Sequence, residues 1–450
     1  MFTAYRHVLA RPGALSFSGA GFVARLPISM VTLAIVLLIV DRAGSYGLAG
    51  SVSAAYMMAA AASSPVLARL IDRLGQRRVL VPGIVGFAVG LAGLVVSVEL
   101  DWPVPLPHLL AAAAGACYPP VGACVRSRWT NLLGPGRALH TAFSFEAVVD
   151  ETIFIVGPVL VTVLATSVHP MAGVGAVAVC AVIGGWWFTI LRATEPQVAE
   201  ASDQPVTRPP LGWHWLLPMI AVSVCLGSLF GAIEVATVAF ADENGRPALT
   251  GLLLAIYAAG SLIAGVATGM LSSDPAATLL RYRVGSAAIA AAMIPLPFIN
   301  HPGLLAVVLF LGGFAVSPTL VSLVSLVEAH VPPSRLTEGI TWVMTGIGLG
   351  IAPGAAIAGR LIDQYGAGTA YWVSFGSGLL AAGLTWWSGG NQSTPGPAVD
   401  DIDKGGTRER RTSASSSGHL RFQGEPQGAS DMRMQTISAF VWSGRRRRTD

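Results

Sequence analysis

The chain has 450 residues, of which 53% are hydrophobic and only 12% charged, and its mean hydropathy is +0.63. Soluble domains are about a quarter charged, so this chain lacks the polar surface of a water-covered globule and much of its outside must face lipid. The net charge of +4 is scattered between apolar runs and Lys404 is the only lysine, which argues against a nucleic-acid-binding face.

A membrane span needs roughly 20 apolar residues. In chain order such runs fall at 17–40, 47–70, 79–98, 107–125, 141–166 and 171–191, and again at 213–240, 248–271, 284–300, 304–327, 338–359 and 369–388. The run at 284–300 is the weakest, being short and holding Pro295 and Pro297. The first run, from Phe17, is long enough to span by itself, so no cleaved signal peptide is expected. Cys117, Cys124, Cys180 and Cys225 all lie within apolar runs without metal-ligand spacing, and read as small packing residues.

The pattern predicts an all-α integral membrane protein of twelve transmembrane helices, arranged as two pseudo-symmetric six-helix bundles. The N-terminal half is 1–191 and the C-terminal half 213–388. The polar stretch between them, 192–212, holds Glu195, Glu200, Asp203, Pro205, Pro209 and Pro210 and reads as a linker. Beyond 389 the chain turns to Gly, Ser, Pro and charge, too polar to bury a core, and a disordered tail over 389–450 is expected. Its Arg445–Arg448 run, near Phe440 and Trp442, either touches anionic headgroups or is a solvated basic end.

Orientation follows from the arginines in the short loops. With the N-terminus inside, fourteen fall on the cytoplasmic side, from Arg6 through Arg335, against Arg42, Arg246 and Arg360 outside. Both termini are then cytoplasmic. The halves also echo one another: Leu48, Gly50 and Tyr56 of the second span match Leu249, Gly251 and Tyr257 of the eighth at one constant offset. At that offset Asp72 falls opposite Ser273. Duplicated halves are common in secondary transporters.

Between the second and third spans the chain reads Ala68-Arg69-Leu70-Ile71-Asp72-Arg73-Leu74-Gly75-Gln76-Arg77-Arg78. This resembles the signature loop of the major facilitator superfamily, G-x-x-x-D-R-x-G-R/K-R/K. Asp72, Arg73 and Gly75 match; Arg77 and Arg78 supply the basic end one residue late, while Ala68 and Gln76 depart from the pattern. Gly75 permits the reversal of direction, and Asp72 can cap a helix N-terminus or pair with Arg126 or Arg128. The resemblance implies that this loop latches the two halves on the cytoplasmic side. The other reading of these arginines is that they only obey the positive-inside rule. Gly157-Pro158 in span five resembles part of the antiporter glycine-proline motif, and a proline kink alone would also account for it. The central arginine that many proton-coupled drug exporters of the family carry in span four has no match within 107–125. The texture is similar to actinobacterial exporter-like members.

An ionised side chain at mid-membrane costs roughly 3 kcal/mol or more, so the few present need a reason. Span one holds Arg25, span five Glu146, Asp150 and Glu151, and span seven Glu234. At about 1.5 Å per residue Arg25 lies about 12 Å deep, Glu146 about 8 Å and Asp150 about 14 Å. Glu146 and Asp150 share a helix face, and Glu151 is turned away from it. Arg25 can therefore meet one or two carboxylates if spans one and five are neighbours, as the resemblance implies. Either one of Asp150 and Glu151 carries a coupling proton, or the group is a fixed ion-pair cluster. Glu234 either meets substrate or a proton in the cavity, or simply reaches water near the outer mouth.

The sequence has no phosphate-binding glycine loop and no His, Cys or Glu cluster for a catalytic metal, so neither an enzyme nor a bound cofactor is expected. The expected protein is a monomeric cell-membrane transporter whose partners are lipid, a small solute and protons. Proton-coupled efflux of a small amphipathic compound fits the near absence of Asn and Gln from the spans. Uptake of a sugar or metabolite, and a non-transporting membrane scaffold, are the alternatives.

Overall fold

Within lipid an isolated segment can satisfy its backbone only as a helix, and every regular element among the described residues is helical. The computed structural model describes residues 2–134, 136–196, 211–268, 275–331 and 335–388. The tail at 389–450 and residues 197–210 of the linker lie outside the described residues.

The N-terminal half comprises α1 (Phe2–Leu9), α2 (Ala14–Arg25), α3 (Pro27–Ala43), α4 (Tyr46–Leu74), α5 (Gln76–Glu99), α6 (Pro105–Cys117), α7 (Val121–Leu133), α8 (Arg137–Ser167) and α9 (Pro170–Ile190). The C-terminal half comprises α10 (Trp213–Glu243), α11 (Leu249–Thr268), α12 (Pro275–Met293), α13 (Pro302–Gly313), α14 (Val316–His330), α15 (Leu336–Tyr365) and α16 (Ala367–Ser388). Among the described residues eleven helical segments are long and apolar enough to cross a bilayer. α16 has 22 residues but is diluted by Gly, Ser, Thr and Trp; it packs on α10, α12 and α15 as the twelfth.

Three spans are broken. Span one divides at Leu26, where Pro27 opens α3, a first-turn position in which the missing N–H is no loss. Span four divides at Tyr118-Pro119-Pro120 and span ten at Phe314-Ala315. Span four then continues as far as Leu133, so Arg126 and Arg128 are helical residues of the bundle and not the loop residues that the apolar run ending at 125 implies. The ninth span begins at Pro275, not 284, as α12, and continues past Met293 through a short 3-10 turn to Phe298. It absorbs Arg281, whose Nε donates to the Ala277 carbonyl one turn back, and Arg283. Long arginine stems let a helix carry its charge to the membrane edge, which apolar-run counting misses.

The repeat is visible in the packing. A Cβ on Gly50 would strike the Ala355 carbonyl, and one on Gly251 the Pro158 carbonyl. The matched glycines thus admit α15 against α4 and α8 against α11, each a helix of the other half. Within the halves, Gly115 abuts the Tyr56 carbonyl as Gly313 abuts the Tyr257 carbonyl.

The tightest packing between the halves is concentrated toward one end. Every buried residue of α4 lies between Tyr46 and Tyr56, and none follows in the remainder of the helix. The main apolar core runs through both halves. A second core, around Phe17, Leu80, Val125, Trp129 and Phe188, belongs to the N-terminal half alone, toward the end that carries Gly75 and the linker. The two halves are therefore closed at the end bearing Ser45, Asp242 and Tyr365.

Candidate functional site

The break at Leu26 places Arg25 on the last turn of α2, with its guanidinium turned to α8. Nε donates to the Gly21 carbonyl at 3.0 Å, NH1 to Asp150 Oδ1 at 2.7 Å and NH2 to Glu146 Oε2 at 2.5 Å. Arg25 is 3% exposed and Glu146 0%. The other oxygen of Glu146 accepts from Ser18 Oγ at 2.7 Å and from Trp129 Nε1 at 2.8 Å. Glu146 is thus fully spoken for, with charge and hydrogen bonds both met, as a buried ion requires.

Asp150 takes a second cation: Arg126 NH2 donates to its Oδ2 at 2.7 Å. This pair is partly exposed, so it forms the wetter edge of the cluster. Helical spacing turns Glu151 away from it. Glu151 Oε1 accepts from Ser261 Oγ at 3.3 Å and Ser317 Oγ at 3.4 Å. Both hydroxyls belong to the C-terminal half, on α11 and α14. The cluster holds two arginines and three carboxylates, and only Glu151 has no cation against it among the described residues.

Glu234 lies in α10 and faces Thr32 of α3 across a small cavity. Its Oε1 is buried without a hydrogen-bond partner, as is Ser53 Oγ. Both border a cavity of about 10 Å³ among α3, α4, α10 and α15, room for about one water. Glu234 thus sits on the seam between the halves, far in chain and in partners from the span-five acids.

The signature loop is tighter than its sequence implies. α4 runs through Asp72 and Arg73 to Leu74, and Gly75, at φ +88°, is the whole turn before α5. A positive φ of that size favours glycine. Asp72 is exposed and makes no ion pair among the described residues. Neither arginine proposed as its partner is available: Arg126 is on Asp150, and Arg128 is fully buried. Arg128 Nε donates to Gln76 Oε1 at 2.9 Å, and its NH1 to the Leu191 carbonyl at 2.8 Å, while the guanidinium lies 3.7 Å over the Phe188 ring. Arg73 and Arg78 are exposed, and the Arg77 backbone N–H donates to Glu195 Oε1.

Gln76 now has a reason to break the basic pattern. Its carbonyl oxygen receives Arg128 and its amide donates to the Cys124 carbonyl at 3.3 Å; a second cation there would face a buried guanidinium without a counter-charge. Gln76→Arg is expected to destabilise the protein by about 1–3 kcal/mol, through an unmet buried donor and like charges, read as a lower midpoint in a detergent melt. Gly157 and Pro158 lie inside the unbroken α8, where Gly157 makes room for the Ser29 hydroxyl, which donates to the Ile153 carbonyl at 2.8 Å.

Two six-helix halves with broken spans are an architecture that secondary transporters share. The family model described as Major Facilitator Superfamily matches residues 17–302 and 241–423, and the chain belongs to that superfamily. Solved structures share the fold. A point mutant of the nucleoside transporter NupG is 14% identical with a TM-score of 0.63, covering 83% of this chain and 99% of its own. A peptide transporter, POT, in complex with sulfate is 14% identical with a TM-score of 0.63, covering 85% and 94%. The human organic anion transporter MFSD10 (TETRAN) is 16% identical with a TM-score of 0.57, covering 83% and 99%. No curated protein matches the chain in sequence.

Proposed function

We propose that the chain is a proton-coupled secondary transporter of the cell membrane, exporting a small amphipathic compound as in exporter-like members of the superfamily. The observation that carries this reading is the pairing pattern in span five. Arg25 and Arg126 neutralise Glu146 and Asp150, which leaves one negative charge, on Glu151, in contact with hydroxyls of the opposite half. A carboxylate in a half-buried site without a cation favours either a proton or a positively charged guest. Because its partners are Ser261 and Ser317, a change of its charge alters the contact between the halves directly.

Of the two acids left open by the sequence, Asp150 is held by two arginines, which makes it a structural member of the cluster, and Glu151 is the proton carrier. Glu234, with one free oxygen in a cavity between the halves, is a second protonation site on the same route. With the arginine-rich linker end in the cytoplasm, the closed end of the two halves lies outside. Asp72 is then unlatched, as the latch reading of that loop requires for this state.

Flux into proteoliposomes, with and without an imposed pH gradient, tests the proposal. Accumulation of organic cations driven by the gradient supports it. Gradient-independent movement of sugars or other neutral metabolites would replace it by an uptake role, and the absence of any flux across a broad compound panel would leave a scaffold.

A further inference from the structure

The end at which the halves are closed is held by a contact with its own chemistry. α4 of the N-terminal half begins at Tyr46, and its first N–H groups have no partners within their own helix. Asp363, on the last turn of α15 in the other half, supplies them. Its Oδ1 accepts from the Tyr46 N–H at 2.8 Å, and its Oδ2 from the Gly47 N–H at 2.8 Å and from Ser45 Oγ at 2.9 Å. Ser45 in turn accepts from the Leu48 N–H at 3.1 Å. Beside this, the Tyr46 hydroxyl donates to Asp242 Oδ2, at the end of α10, at 3.1 Å.

Asp363 is badly placed for its own helix. A carboxylate on a last turn meets the negative end of the dipole, and α15 carries no basic residue there. What favours the charge is the positive end of α4, which lies across the seam. Gly47 is what lets the carboxylate in, since a Cβ there would stand 2.8 Å from Asp363 Oδ2.

We propose that Asp363 is a latch of this gate: its carboxylate caps α4 of the opposite half only while this end is closed, and the cap is lost when the end opens. It is a positioning residue, acting on the balance of conformations and touching no transported solute. The proposal rests on alternation between two states but not on any choice of substrate or coupling ion.

The test uses the full chain in nanodiscs with the four native cysteines replaced by alanine. Spin labels at Val104→Cys and Asn300→Cys report the distance across the closed end. Asp363→Asn keeps the shape but loses the charge, and is expected to raise the open-to-closed ratio on the order of tenfold, since charge-assisted hydrogen bonds are lost. Gly47→Ala, which displaces the carboxylate without altering it, is expected to add the same long-distance population. It decides the matter alone if Asp363→Asn fails to fold. Distance distributions unchanged from the parent in the folded variants would overturn the latch. The readout needs neither substrate nor pH gradient, so failure of the proposed transport activity would leave it untouched.

Discussion

Replacing Arg25 by methionine is expected to remove about 3–5 kcal/mol of stability and most of the folded protein, because it strands Glu146 as an unpaired buried ion. Glu146 is fully buried and keeps only Ser18 and Trp129 as donors in the variant. Asp150 suffers less, since Arg126 still holds it. Arg25→Met with Glu146→Gln removes both charges together and is expected to recover a substantial part of the loss, a coupling that a double-mutant cycle measures. Thermal melts in detergent, followed by size-exclusion chromatography, read both. A melt of Arg25→Met equal to that of the parent would mean that the cluster does not support the fold.

Glu151→Gln is expected to lower pH-gradient-driven flux by roughly 5–150-fold, the span of ordinary coupling free energies, while substrate-for-substrate exchange at equal pH persists. The amide preserves the contacts with Ser261 and Ser317 but can neither take up nor release a proton. Asp150→Asn is expected to differ in kind: it leaves Arg126 without its partner and loosens Arg25, so its defect falls on stability as well as flux. Counterflow and gradient-driven uptake measured on the same proteoliposomes separate the two. Full gradient-driven flux in Glu151→Gln would assign the proton elsewhere, with Glu234 next to be examined.

The helical class and the duplication were legible in the sequence because lipid imposes them residue by residue: apolar runs of spanning length, and glycines repeated at one offset. The meeting of Arg25 with one or two carboxylates of span five follows from similar depth together with the adjacency of spans one and five that the resemblance implies. The roles of Arg126 and Arg128 were not legible. Apolar counting ends span four at 125, yet α7 continues for two further turns because its charges are satisfied sideways, by Asp150 and by Gln76 and Leu191. The start of the ninth span is missed for a different reason: Arg281 is bonded back onto its own helix, at the Ala277 carbonyl and Thr278 hydroxyl. The Asp363 cap left no trace at all, because it joins a side chain to backbone N–H groups more than three hundred residues away, and backbone donors carry no sequence signal.

The Arg25–Glu146 bond also bears on how the chain is made. Its two ends are 121 residues apart, and the spans are synthesised in order. Arg25 therefore enters the membrane with the first helix, while its counter-charges are still to be translated four spans later. An unpaired arginine in a membrane helix is tolerated at insertion for about 2.5–3.5 kcal/mol, so span one is poised rather than settled until span five arrives beside it. The N-terminal bundle thus assembles by a late closing step between its first and fifth members, and a nascent chain halted after span four holds an arginine awaiting its acid.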